Sequence, residues 1–97
     1  MSTIPAKDSD ATLDYQVDWS AWLADGETIM ADPAPVITVD DGLTLNPGGK
    51  STSEAGGKVT FWLGAGTAGR TYTVACKITT SQGRVDQRSF RLPITQR

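Results

Sequence analysis

Apolar and polar side chains alternate along most of this chain. From Thr71 to Thr79, Tyr72, Val74, Cys76 and Ile78 share one face, and Thr71, Thr73, Ala75, Lys77 and Thr79 share the other. A period of two is the signature of a half-buried strand. Ser81-Gln82-Gly83 follows, a short connection with glycine where a three-residue hairpin loop needs a left-handed residue. The returning run sets Phe90, Leu92 and Ile94 against Ser89, Arg91 and Thr95. The pattern recurs upstream: Val59, Phe61 and Leu63 alternate with Thr60 and Trp62, and Leu13, Tyr15, Val17 and Trp19 alternate with Asp14, Gln16 and Asp18. A hairpin with one apolar side requires a second sheet to cover it, so the spacing predicts two facing β layers.

The segments between these strands read less simply. Ser20–Gly26 reads as one helical turn, capped by Ser20 and ended by Gly26, with Trp22 and Leu23 plugging one end of the domain. Three aromatics and a leucine within eleven residues are more often packing than ligand binding. Glu27–Asp32 begins another strand, interrupted by Pro33-Ala34-Pro35. Two prolines cannot donate to a ladder, so the interruption marks a bulge, an edge or a change of sheet. Val36–Val39 resumes the strand, Asp40-Asp41-Gly42 turns, and Leu43–Leu45 returns. Residues 46–57 have almost no apolar content and read as an exposed loop. Residues 1–12 are polar and contain Pro5, which predicts a loose N-terminal arm ahead of one β domain spanning 13–97.

Composition narrows the function. The chain has 97 residues, ten glycines, five prolines and one cysteine, which suits a single domain of short strands and tight turns. Cys76 has no internal disulfide partner and lies on an apolar face, where it reads as a small core residue in a reducing cytoplasm. With no histidine, nucleophilic triads and transition-metal sites have no parts to be built from. Asp40 and Asp41 could be half of a calcium site, but no further acidic ligands follow at regular spacing. Gly49-Lys50-Ser51 lacks the remaining glycine, the preceding strand and the following helix of a phosphate-binding loop. A short-looped β domain of this size has no room for the cleft that a catalytic carboxylate pair needs. The expectation is a protein without enzymatic activity, cofactor or metal.

No run approaches the roughly 18 apolar residues of a membrane span, and the first eight residues hold no apolar signal core that would suggest Sec export. Charge is lopsided. Residues 1–49 set Lys7 against nine carboxylates, and residues 50–97 set eight cations against Glu54 and Asp86, for a net −2. Either the halves neutralise each other within one sandwich, or they form an acidic and a basic side suited to head-to-tail packing. An acidic balance with no basic cluster interleaved with aromatics disfavours nucleic acid. Trp62, outward in the middle of a strand, is the leading candidate contact residue. Trp22 and the basic residues Arg88 and Arg91 of the last strand complete the candidate set.

The closing strands, with Gly69-x-x-Tyr72-x-Val74, a glycine-centred hairpin and a final strand, resemble those of an immunoglobulin-like sandwich. Tyr72 stands where such folds carry a tyrosine corner, and no cysteine occupies the Val74 position. The resemblance implies an all-β, immunoglobulin-like β-sandwich of about seven short antiparallel strands without a disulfide. Nearly the whole chain outside 46–57 is also similar to a family of small immunoglobulin-like structural proteins of tailed bacteriophages and prophages, the fibre–tail adaptors. The residues carrying that likeness are Lys7-Asp8, Leu13-Asp14-Tyr15, Asp18-Trp19, Trp22-Leu23-Ala24, Gly26, Thr28-Ile29, Trp62-Leu63, Gly66 to Gly69, Tyr72-Thr73-Val74, Ile78-Thr79-Thr80 and Gly83-Arg84. It implies a virion protein assembled in the bacterial host cytoplasm, homo-oligomeric in the particle and touching portal, tail, fibre or capsid proteins. A capsid decoration protein and a carbohydrate-binding or adhesion module are the alternatives. The Pro33-Ala34-Pro35 insertion and the longer Gly-rich loop depart from the family pattern.

Overall fold

The computed structural model of the chain describes residues 7–95. Its strands are β1 (Lys7–Asp8), β2 (Leu13–Asp18), β3 (Val36–Val39), β4 (Leu43–Leu45), β5 (Ser53–Ala55), β6 (Lys58–Ala65), β7 (Thr71–Thr79) and β8 (Val85–Thr95), with one 3-10 turn at Pro47–Gly49. They form a β-sandwich. One sheet runs β1-β8-β7-β3, and the other runs β2-β6-β4 with β5 also on β6. The core takes the alternating residues that the sequence marks: Val59, Phe61 and Leu63 of β6, Val74, Cys76 and Ile78 of β7, and Leu92 and Ile94 of β8 are all essentially sealed from water. Tyr15, Phe61 and Phe90 join the two layers, with ring centroids 6.2 to 6.4 Å apart.

The β7–β8 hairpin pairs in register from Thr71 opposite Pro93 to Thr79 opposite Val85. Its loop closes as expected, with Thr80 N–H donating to the Arg84 carbonyl at 2.8 Å and Gly83 at φ 81°. The Tyr72 hydroxyl accepts the Thr67 amide at 2.9 Å, the backward hydrogen bond of a tyrosine corner. Its ring presses on Gly42, where an added Cβ would lie 3.1 Å from the ring and φ is +102°. Only glycine meets both conditions.

Four elements differ from the sequence reading. The sheet begins inside the span read as an arm: Lys7–Asp8 pairs in parallel with Ile94 and Thr95, so one junction is not antiparallel. Lys7 is fully buried, its Nζ donating to the Asp8 and Ala65 carbonyls at 2.7 Å each. Burial is the main cause holding its amine below the usual lysine value. The rest of the expected arm, residues 1–6, lies outside the described residues. Second, Ser20–Gly26 is a run of turns, tied by Trp22 and Leu23 amides to the Trp19 carbonyl. The cap is the Asp18 carboxylate, accepting the Ser20 amide at 2.8 Å and hydroxyl at 2.6 Å. Third, Glu27–Asp32 makes only a single bridge, Ile29 opposite Thr80. The prolines interrupt an edge, and the sheet changes at Asp40–Gly42, since β3 pairs with β7 while β4 pairs with β6. Fourth, the 46–57 segment carries β5, paired with Lys58–Thr60. Main-chain pairing needs no apolar side chains, which is why composition gave no sign of it.

Two substitutions separate packing from the hydroxyl bond. Phe61→Ala removes a fully buried ring and is expected to cost about 3–5 kcal/mol. Tyr72→Phe keeps the ring and loses one hydrogen bond, an expected cost of about 1–2 kcal/mol. Urea unfolding of both variants checks the order.

Candidate interaction surface

The strands place the four candidate residues at three separate locations. Trp22 and Arg88 sit at one end of the sandwich. The indole of Trp22 meets Trp19 edge-on at 5.4 Å between centroids, Arg84 stacks over Trp22 at 4.0 Å, and Arg88 stacks over Trp19 at 4.2 Å. Arg88 shares the parity of Phe90 and Leu92, so its side chain starts on the inward face and exits where the core ends. Its guanidinium donates to the Asp18 carbonyl at 2.8 Å. Trp22 and Arg88 therefore already have partners, and both close the end of the core. Trp19, fully buried beneath them, lies beside the Cys76 thiol, which burial pushes up.

A residue set that the sequence did not single out anchors this end. Glu27, buried just past Gly26, accepts the Ala24 amide at 2.9 Å, the Thr80 hydroxyl at 2.5 Å and Arg84 Nε at 2.9 Å. A second guanidinium nitrogen of Arg84 pairs with the other carboxylate oxygen. Four donors on one sealed carboxylate are the condition under which a buried charge is tolerated. The Arg84, Thr80 and Ala24 hydrogen bonds, in that order, hold Glu27 down from an ordinary 4.5 to about 2. Glu27 and Arg84 are 57 residues apart, and no local pattern connects them. A shallow cleft of about 460 Å³ opens beside this cluster, lined by Leu23, Asp25, Gly26, Thr28, Glu54 and Gly56 among others.

Trp62 lies on the outer face of the β2-β6-β4 sheet, opposite Asp14, and is half-buried. Asn46 holds the strand there: its amide donates to the Trp62 carbonyl at 2.8 Å, and its side-chain oxygen accepts the Trp62 amide at 3.0 Å. Lys50 covers part of the ring, its Nζ 4.5 Å from the centroid. Arg91 projects from the outer face of the other sheet, opposite Thr73, and is exposed. The acidic and basic halves of the sequence are interleaved, because strands from both halves make up each sheet. Asp18 faces Lys58 across β2 and β6, and Asp40 accepts the Thr73 amide at 2.8 Å. A bias between outer faces survives: Asp14 and Asp18 with Lys58 on one, Lys77 and Arg91 on the other.

The Glu27 cluster gives a pH signature. Its folded-state affinity for protons is depressed, so its contribution to stability is complete above about 4.5 and is lost as pH falls towards about 2. Between pH 5 and pH 2 the native chain is expected to lose melting temperature more steeply than Glu27→Gln. Parallel curves from thermal scans would count against the cluster.

Over residues 7–93 the chain matches the family model described as podophage GP4 fiber-tail adaptor protein gp77. No curated protein gives a significant match.

Proposed function

We propose that this chain, which belongs to the podophage GP4 fiber-tail adaptor family, is a non-enzymatic virion protein that joins tail and fibre components through surface contact. The observation that carries this reading is the extent of the match, 7–93, nearly all of the described residues. The side-chain chemistry supports it. The one cysteine is buried in the core, and the buried carboxylate of Glu27 is consumed by its own hydrogen bonds. What remains for partners is the outside of two sheets.

Of the four candidate residues, Trp62 and Arg91 fit a contact role best. Trp62 presents a large ring only partly covered by Lys50, and Arg91 is an exposed cation without an ion pair among the described residues. Burying such a ring with its edges excluded from water is how an interface gains most of its energy. Strand order also supports an immunoglobulin-like reading, since β2-β6-β4 and β8-β7-β3 follow the B-E-D and G-F-C orders of that fold. The adaptor is expected to be oligomeric in the particle, matching the symmetry of the structure it joins, and to need no cofactor, nucleic acid or membrane.

Purified particles test the reading. The chain is expected in tail-like copy number and to remain with tails when heads are removed. Release with the heads, or a capsid-lattice copy number, would favour decoration instead. Trp62→Ala is expected to keep the circular dichroism of the native chain while lowering its incorporation into particles.

A further inference from the structure

The two sheets leave open edges, and two of these edges fit one another. In β8, the Ile94 amide donates to Arg70 and the Ile94 carbonyl accepts from Gly69, while the Arg84 carbonyl accepts from Thr80. Even-numbered residues thus face β7. By the alternation of an antiparallel ladder, Gln87, Ser89 and Arg91 direct their amides and carbonyls away from it. Among the described residues, β1 covers this outer edge only at Ile94 and Thr95. Pro93, the next residue along that edge, has no amide hydrogen to extend the ladder. Among the described residues, the edge from Val85 to Leu92 has no neighbouring strand. Gln87 satisfies its amide locally on the Asp86 carboxylate at 2.8 Å.

The same reasoning applies to β2. The Trp19 amide donates to the Gly57 carbonyl, so odd residues face β6 and Asp14, Gln16 and Asp18 face outward along the edge. The Asp18 carbonyl already receives Arg88 of the same protomer. That bond also shows that the β2 and β8 edges lie on one side of the sandwich. The other edges are poorer templates: β3 is preceded by Pro33 and Pro35, and β4 has three residues.

We propose that the β8 edge pairs in an antiparallel ladder with the β2 edge of a second copy of this chain. Setting Asp14 opposite Arg91 places Gln16 opposite Ser89. All four residues then aim both backbone groups at the partner, and all four side chains fall on the outer face. The pairing sets a carboxylate from the more acidic face beside a guanidinium from the basic one. Because both edges share one side, a two-fold axis lets each copy give one edge of each kind, and the pair closes on itself. Leu13, 42% exposed at the head of the β2 edge, falls opposite Leu92 and is covered. This deepens the adaptor reading and rests on it for the role of an oligomer in the particle. Pairing itself requires no other virion protein.

Sedimentation equilibrium of the full chain tests it. The native chain is expected to form dimers, and Ser89→Pro, which removes only an outward amide, to weaken them about tenfold or more. Asp14→Arg and Arg91→Asp are each expected to weaken self-association, and the two together in one chain to restore it. Restoration is the readout that a fold defect cannot mimic. A native chain that stays monomeric at about millimolar concentration, a double variant no stronger than either single one, or a folded Ser89→Pro that dimerises like the native chain would each overturn the proposal. A chain that pairs as described but is absent from particles would sink the adaptor reading and leave this one standing.

Discussion

The molecule depends on keeping the inward faces of β6, β7 and β8 dry against each other. Phe61 and Leu63 from one sheet meet Val74, Cys76 and Leu92 from the other, all without solvent contact, and Trp19 closes one end. A domain of this size has a net stability of about 5–15 kcal/mol, so one core aromatic represents a large fraction of it. The constraint reaches the surface as well. Every position given to the core on alternate residues assigns its neighbour to an outer face, so the layout of Asp14, Trp62, Lys77 and Arg91 follows from the packing of the residues between them.

Where a segment had strict alternation, the sequence was legible to the residue. The faces of β2, β6, β7 and β8, the Ser81–Gly83 loop and the place of Tyr72 follow from period-two spacing and turn chemistry. Where pairing rests on main-chain bonds, it was not: β5 has three small or acidic residues and no apolar face, and β1 has two charged ones. Lys7 is the plainest case. A lysine beside an aspartate reads as solvated, yet two carbonyls receive its amine and the sheet covers its stem, a tertiary arrangement that no local pattern encodes. The middle segment showed the reverse problem, since the prolines marked an interruption correctly but the sheet changes several residues later, at a glycine turn.

The candidate surface was legible in part. Trp62 and Arg91 stand outward as their parity implies. Arg88 does not: it is two residues from Phe90 on the same face, and that spacing already held the sign of an inward start. The Glu27–Arg84 pair had no such sign, because the contact joins a turn before one sheet to the loop of a distant hairpin. Charge asymmetry between the halves of the chain also dissolves on folding, since each sheet takes strands from both. What is left is a modest difference between two outer faces and, among the described residues, the open edges of β2 and β8, features that favour recognition by contact.

Amide hydrogen exchange in dilute solution tests the packing claim most directly. The account predicts that Val59, Phe61, Leu63, Val74 and Cys76 exchange together and slowest, only on global opening, and that along β8 the Phe90 and Leu92 amides are protected while Ser89 and Arg91 exchange fast. Protection of β6 lost independently of β7, or no alternation along β8, would contradict it.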